Sequence, residues 1–298
     1  MYEELFGKTG LSLDRLQTLC EIAEWGSIGE ATRDNSNRQT QFSRQVGELE
    51  KYFGVDLLDR HSRPYRLSEE GEELSKISRE LLGRLSDFKS RCNDRPVRLV
   101  IGAGESTIQW LLMPLLDELS QRLPNASISM ENLRTLEIVK GLNEGDIDFG
   151  MIRKTAVAKP LKSTGSWKYG YSLFVPKALK KRLQEKVEVT DLSSLPLAII
   201  GGKGEFRRQL DKLAIEGKGR LNIRLECSSH AQVATAILSG KHAGFLPDFA
   251  QRILPATRVN SHEVKGFEGL SRELVIAWHP KHKDVRPVVA EVLDLLKV

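Results

Sequence analysis

Cysteine is scarce in this chain: Cys20, Cys92 and Cys227 are three residues in 298. None stands at CxxC or Cys/His ligand spacing, so no zinc site is expected. The sparse, odd count fits reduced thiols that pack as small apolar residues in a reducing compartment. A redox switch needs a resolving partner, and Cys227 has no second cysteine after Cys92. Long hydrophobic runs are also missing, so no helix is expected to cross a bilayer. The opening MYEELFGKTGLSLDR has acids at Glu3 and Glu4 and no apolar h-region. That argues against secretion and makes the cytoplasm the expected location. Enzyme frames are absent as well. Gly102-Ala103-Gly104 follows a predicted strand, but the GxGxxG frame ends at Thr107. The glycine-rich stretch from Gly201 to Gly204 lacks phosphate-loop spacing. There is no GxSxG, no HExxH and no His/Asp frame around a nucleophile, and the six histidines are scattered. No catalytic residue, metal ligand or cofactor is assigned.

What is present suits a folded protein of about two domains. Hydrophobic residues make up 40% and charged residues 29%, enough to build real cores. The net charge of +5 is unevenly placed. Residues 1–95 hold 15 basic and 18 acidic side chains, and the remainder holds 30 and 22. Global charge is therefore a weak guide, and local windows say more. Ser36–Gly47 contains Arg38 and Arg44 with no acid, and Arg60–Leu67 contains Arg60, Arg63 and Arg66 with no acid. Two such windows within 32 residues suit phosphate contacts.

The N-terminal third reads as helices. Leu13, Leu16, Leu19, Cys20 and Ala23 recur at helical spacing over 13–25, and Gly26 stops the helix. Ser27 and Glu30 have capping-box spacing and open a short helix to about Asp34. Asn35-Ser36-Asn37 is turn chemistry, and Ser36 with Gln39 repeats the capping spacing. The third helix carries Phe42, Val46, Leu49 and Phe53 as one apolar stripe. Gln39, Thr40, Ser43 and Arg44 fall largely off that stripe, toward solvent. Such side chains suit base edges: glutamine pairs bidentately with adenine, and Thr or Ser reaches an edge or a thymine methyl. After Gly54, a short strand (Val55, Leu57, Leu58), a basic turn and a return at Tyr65–Leu67 make a small hairpin. Three helices and a basic hairpin form a winged helix-turn-helix pattern. Ser68 starts a further helix to about Cys92. Its Leu74, Ile77, Leu81, Leu85, Phe88 and Cys92 step by three and four, a short coiled-coil seam suited to pairing with a second chain.

Asn93–Pro96 is a linker, after which strands alternate with helices. Strands are predicted at 97–101, 126–131, 147–152, 171–175, 197–200, 221–227, 243–246 and 273–278. Helices are predicted at 107–122, 135–144, 177–185, 205–216, 230–239 and 285–297. This is α/β with mainly parallel sheets, and about 200 residues suggests two lobes with a cleft. Ser106 and Thr107 open one helix and Thr135 the next. Backbone N–H groups at helix starts make natural anion sites. A small, anionic ligand is the expected occupant. A solute-binding protein or a cytosolic enzyme on the same scaffold are the alternative readings. The first would need an export signal and leaves the basic hairpin unexplained.

From Leu16 to Leu74 the chain resembles the LysR-type transcriptional regulators. The resemblance rests on Leu16, Ala23, Gly26-Ser27, Ala31, Gln39 and Ser43-Arg44-Gln45-Val46. It continues through Leu49-Glu50, Gly54-Val55, Leu57, Arg60, Leu67-Ser68 and Gly71. Leu99–Gly102, Leu123-Pro124, Gly145–Asp148 and Gly244–Pro247 resemble the family's effector domain. The resemblance implies a winged helix-turn-helix domain at 1–68, a dimerising linker helix at 69–95 and a periplasmic-binding-protein-like effector domain at 96–298. Lobe I would comprise 96–170 and 271–298, and lobe II 171–270. It further implies a homodimer or homotetramer on double-stranded DNA, with an inducer in the cleft near Ser106, Thr107, Thr135, Ile200, Gly201 and Gly202. RNA polymerase is a further candidate partner. Ser27, Arg38, Arg60, Arg63 and Arg66 are the expected phosphate contacts, and Gln39, Thr40, Ser43 and Arg44 the expected base contacts. The chain departs from the family at Thr32, Asn35, Asn37 and Arg38. A polar group left unpaired in that corner would cost about 1–3 kcal/mol, so a reshaped or weakened turn is expected there.

Overall fold

The computed structural model describes residues 3–7, 9–33, 35–179, 183–184, 186–202, 204–217, 219–267 and 270–296. The first three helices are α1 (Leu13–Trp25), α2 (Ile28–Thr32) and α3 (Ser36–Phe53). Ser12 caps α1, and Gly26 ends it in the left-handed region at φ 79°. Ser27 caps α2 by accepting the Glu30 N–H at 3.2 Å. That helix stops at Thr32, and the predicted end at Asp34 lies outside the described residues. The cap of α3 is Asn35 rather than Ser36: its Oδ1 accepts the Arg38 N–H at 3.1 Å.

This cap settles the polar corner. Asn35 and Asn37 are exposed, so neither is stranded in a core. Thr32 is buried, but its hydroxyl donates to the Ile28 carbonyl at 2.8 Å and lies 3.1 Å from that of Gly29. No polar group is left unpaired at these positions, and the anticipated penalty is absent.

Phe42, Val46 and Leu49 face the core of the three helices, but the fourth stripe position is Tyr52, not Phe53. The segment before α1 decides this. The Tyr52 hydroxyl donates to the Leu5 carbonyl at 2.6 Å. Gly10, at φ 139°, passes so close that a Cβ there would lie 3.0 Å from the Tyr52 Cβ. The N-terminal extension thus packs over the end of α3 and buries the tyrosine.

The hairpin strands β1 (Leu58–Asp59) and β2 (Arg66–Leu67) are antiparallel and shorter than expected: Val55 is exposed and Leu57 turns into the core. Helix α4 (Glu69–Cys92) follows its Ser68 cap. Gly71 lies hard against the hairpin, where a Cβ would overlap the Leu57 carbonyl oxygen. One face of α4, with Gly71, Ser75 and Ser78, is buried, and the Cys20 thiol of α1 reaches the Ser75 carbonyl. The neighbouring stripe leaves Ile77, Leu81, Leu85 and Phe88 between 42% and 58% exposed. Leu74 departs from the predicted seam. It is half-buried in the core of the winged helix.

The remaining elements are β3 (Val97–Ala103), α5 (Glu105–Thr107), α6 (Leu116–Arg122), β4 (Ala126–Asn132), α7 (Thr135–Glu144), β5 (Phe149–Arg153), β6 (Lys162–Tyr169) and β7 (Tyr171–Pro176). Then come β8 (Lys186–Val187), β9 (Leu197–Ile200), α8 (Glu205–Glu216), β10 (Ile223–Cys227), α9 (His230–Leu238), β11 (Ala243–Pro247), β12 (Val259–Val264), β13 (Arg272–Trp278), α10 (Pro280–Val285) and α11 (Pro287–Leu295). One sheet has the order β4-β3-β5-β13-β6, and the other β10-β9-β11-β7-β12-β8. The sheets are mixed rather than mainly parallel. Strands β13 and β6 in the first, and β7 and β12 in the second, run antiparallel to neighbours. Strands β6, β8 and β12 were not anticipated. The helix expected over 107–122 is broken by a π-helical turn at Ile108–Leu112 and a 3-10 turn at Met113–Leu115. A 3-10 turn at Lys177–Leu179 begins the predicted 177–185 helix, but residues 180–182 and 185 lie outside the described set. The helix expected at 285–297 is α11, which starts at Pro287 after a separate, unanticipated α10, and residue 297 of that prediction is also outside the described set. Among the described residues no helix is long and apolar enough to cross a membrane.

Two long-range features hold these bodies together. Trp110, in the π-helical turn beside the first sheet, is fully buried among Phe174, Ala198, Val233, Ala234 and Ile237 of the second sheet's body. Arg286 joins α4 to the first sheet. Its Nε donates to Asp87 Oδ2 at 2.9 Å and its Nη2 to Asp87 Oδ1 at 3.2 Å, while Nη1 donates to Asp148. Asp148 is fully buried and also accepts the Val100 N–H at 2.8 Å. Farther along α4, Arg79 pairs with Glu144 at 3.3 Å.

Candidate functional sites

The N-terminal face is built on α3. Thr40 and Arg44 line a groove of about 600 Å³ with Asn37, Gln41 and the start of α1 at Ser12 and Arg15. Thr40, Ser43 and Arg44 are exposed and Gln39 is half-buried. Thr18 fixes the angle of α3 on α1: its hydroxyl lies 2.7 Å from Gln45 Oε1. Asn37, Gln41, Ser12 and Arg15 were missed by the stripe argument. The first two share a face with Thr40 and Arg44 at helical spacing, and only packing places the other two beside them.

The five expected phosphate contacts divide. Arg63 and Arg66 are on the hairpin, Arg66 exposed and Arg63 at the turn that leads to it. Arg60 is paired with Glu50 at 3.0 Å, and Glu50 also accepts the Leu57 and Leu58 N–H groups. Arg38 is 3.5 Å from Glu21 and lies over the Phe42 ring. Ser27 requires correction: its side chain is buried and its hydroxyl is spent on capping α2, so it is not presented to a phosphate.

The second site is a cleft of about 520 Å³ between the two sheets. Ser106, Thr107, Thr135 and Ile200 line it; Gly201 and Gly202 do not. The Gly201 N–H is already paired with the Cys227 carbonyl at 2.9 Å, which continues the β9–β10 ladder. One helix start shifts, and the other, at Thr135, is where it was expected. Gly104 caps α5 with Glu105 first, so Thr107 is buried at the third position. Arg134 precedes α7, where its N–H donates to Glu137 Oε2 at 2.7 Å.

Residues not anticipated give the cleft its charge. Arg134, Arg153 and Arg272 enter from the first sheet's body with the carboxylates of Glu105 and Glu137, and Ser228, Ser229 and His230 from the end of β10 and the start of α9. The pair Ser228-Ser229 repeats the strand–hydroxyl–helix pattern of Ser106 and could have been found by it. Strand ends carry no such signal for Arg153 or Arg272. Arg272 Nη1 donates to the Tyr171 hydroxyl at 2.9 Å, and Nη2 to Glu205 Oε2 at 3.1 Å. Arg153 Nη1 reaches the same Glu205 oxygen at 3.3 Å. Burial pushes the His230 imidazole down to about 4, aided by the nearby Arg272 charge, so it is neutral at pH 7. Burial likewise raises the Tyr171 phenol, which stays protonated. The cleft thus sets three guanidinium groups against the carboxylates of Glu105 and Glu137, with Glu205 on Arg153 and Arg272, beside hydroxyl and neutral hydrogen-bonding groups; the arginine cluster is the part suited to holding an anion.

Comparison with known proteins matches both parts of the chain. Residues 13–72 match the model of the bacterial regulatory helix-turn-helix protein, lysR family, and residues 95–297 match the LysR substrate binding domain. The chain is 25% identical to a probable RuBisCO transcriptional regulator of Synechocystis sp. over 299 aligned positions, covering 96% of this chain and 86% of that protein. Among solved structures it resembles a full-length OxyR variant from Pseudomonas aeruginosa, with TM-score 0.63 and 17% identity, covering 96% of each chain. It also resembles full-length CbnR complexed with its target DNA, with TM-score 0.59 and 19% identity, covering 96% of this chain and 99% of that one. These likenesses lie with regulators and lend nothing to the transport or enzyme readings.

Proposed function

The chain belongs to the LysR-type transcriptional regulators, DNA-binding proteins with a C-terminal effector-binding domain, and from that premise we propose how its own residues read DNA and sense a ligand. Residues 1–68 form the reading head, 69–95 the dimerising helix, and 96–298 the sensor, with lobe I at 96–170 and 271–298 and lobe II at 171–270. Two copies join along Ile77, Leu81, Leu85 and Phe88, the face of α4 left exposed in one chain. Each dimer, alone or as one half of a tetramer, presents two α3 helices to successive major grooves. Gln39, Thr40, Ser43 and Arg44 read base edges, and Arg63 and Arg66 hold the flanking backbone. Arg38 and Arg60, each held on one side by Glu21 and Glu50, join them through their remaining N–H donors. The protein works in the cytoplasm, where RNA polymerase is its downstream partner.

The effector is a small anion. The observation that carries this is the placing of Arg134, Arg153 and Arg272 around one cleft with Ser106, Thr135 and Ser229. Thermal shift against a panel of carboxylates and phosphate esters tests it, followed by calorimetry on Ser106→Ala. An anionic hit weakened by that substitution supports the site; a hit with unchanged affinity refutes it. For the reading head, Gln39→Ala is expected to cost about 1–3 kcal/mol at one base pair. Equal loss on every sequence would refute that assignment.

A further inference from the structure

We infer that the Arg153–Arg272 pair is the seat for the ligand's oxyanion group, a carboxylate or a phosphate, and that Glu205 from the opposite lobe fills this seat with its own carboxylate until the ligand arrives. The inference rests on the reading of the cleft as the ligand site, and it adds a resident competitor and a second anionic anchor to that site.

The guanidinium of Arg272 is incompletely used. Nη1 is bound to the Tyr171 hydroxyl and Nη2 to Glu205, but Nε is buried with no hydrogen-bond partner. A buried donor left unpaired calls for an explanation. In a planar guanidinium, Nε–H and one Nη2–H lie along the same edge, the fork that binds a two-oxygen anion bidentately. Glu205 engages only half of that edge, because one oxygen, Oε2, serves both Arg272 Nη2 and Arg153 Nη1. An incoming carboxylate or phosphate can take both positions on the edge, supplying the acceptor that Nε lacks.

The position of Glu205 makes its release cheap and consequential. It is the first residue of α8, preceded by Gly204, which makes no side-chain cap bond. Its side chain is 58% exposed and that of Arg153 44%, so the pair is well solvated and weak. A released carboxylate remains at the favourable N-terminal end of a helix. Yet the contact spans the lobes, with Arg153 and Arg272 on β5 and β13 and Glu205 on α8. Displacement therefore frees the start of α8 from lobe I, a ligand-dependent change that needs no wide separation of the lobes.

Calorimetry with two probes, inorganic phosphate and acetate, at fixed chloride concentration tests this on the full-length protein. Glu205→Gln is expected to bind the preferred probe at least about tenfold more tightly than the wild type, since the probe no longer competes with a resident carboxylate. Which probe gains more identifies the phosphate or the carboxylate as the anchor. The gain is expected to vanish in Glu205→Gln/Arg272→Gln and to shrink in Glu205→Gln/Arg153→Gln; the latter alters an exposed side chain and is a safeguard should the Arg272 variant fold poorly. Equal affinity of wild type and Glu205→Gln for both probes, including no binding by either, overturns the inference. So does a gain that survives both arginine substitutions. If binding is lost in Ser106→Ala but indifferent to Glu205→Gln, the cleft reading stands and the displacement falls. Binding that survives Ser106→Ala and both arginine variants removes the cleft reading as well.

Discussion

Replacing Trp110 by alanine is expected to loosen the second sheet's body, although the residue belongs by chain order to the first. Its indole is fully buried among Phe174, Ala198, Val233, Ala234 and Ile237, with Phe249 at 6.0 Å between ring centroids. An aromatic side chain of this kind buries about 150–250 Å², which at about 25 cal/mol per Å² is worth roughly 4–6 kcal/mol. Large-to-small substitutions of buried aromatics cost about 3–5 kcal/mol, so the two routes meet near 4. Hydrogen exchange read over Leu197–Ile200 and His230–Leu238 is the suitable assay, because it localises the loss and does not rely on the deleted fluorophore. Protection in these segments is expected to fall by the full amount, with a smaller change in β3 and β5. The indole N–H has no partner, so Trp110→Phe deletes an unsatisfied donor with the ring and is expected to cost less than about 1.5 kcal/mol. A loss below about 1 kcal/mol in Trp110→Ala would refute the reasoning. It would mean that the lobes are joined elsewhere and hinge freely. If the loss is as large as expected, the two lobes move as one body, and ligand signals travel through small shifts such as the release of α8.

Other expectations concern acid stability, the fastening of α4 and assembly. Burial holds His230 and His282 down to about 4, below the ordinary histidine range. Their contribution is therefore complete above about pH 6.5 and lost as pH falls toward 4, by up to about 3 kcal/mol each. A Tm profile that stays flat over that interval would contradict this. His282→Leu, which also removes the unpartnered Nδ1, is expected to reduce the slope. Asp87→Ala leaves Arg286 half-paired in a nearly buried site and is expected to cost about 3–5 kcal/mol. Chemical unfolding measures it, and a change under about 1 kcal/mol would show that Asp148 alone suffices. Leu81→Asp places a charge on the exposed face of α4 without touching the fold of one chain. Sedimentation is expected to show dissociation, and an unchanged assembly would remove that face from the interface.

Much of this molecule follows from short-range pattern. Helical spacing, hydroxyl caps and glycine stops define α1 to α4 because each acts within one or two turns. The exposed stripe from Ile77 to Phe88 is legible for the same reason: three- and four-residue steps place side chains on one face whatever lies opposite. Strand–hydroxyl–helix junctions likewise point to Ser106 and Thr135. The same locality explains the errors at α3. Asn35 and Ser36 are both good caps, and Tyr52 and Phe53 are both good core residues. The choice between the latter pair came from Leu5 and Gly10, more than 40 positions away.

What spacing along the chain left open was the identity of partners across the fold. Nothing in the surroundings of Arg60 tells that Glu50 holds it, so five basic or hydroxyl candidates looked alike until packing separated Arg63 and Arg66 from Arg38, Arg60 and Ser27. Arg286 meets Asp87 across 199 residues, and Arg272 meets Glu205 across 67. The local periodicity of a helix or strand determines which faces are apolar, which was enough for the winged head, α4 and an α/β body; the kind of protein came from the family resemblance, and the mixed sheets with β6, β8 and β12 came only from the structure. Charge pairing, the seat of Trp110 and the makeup of the cleft depend on which surfaces meet after the sheets close. Those encounters involve residues with no fixed separation, and only the tertiary structure decided them.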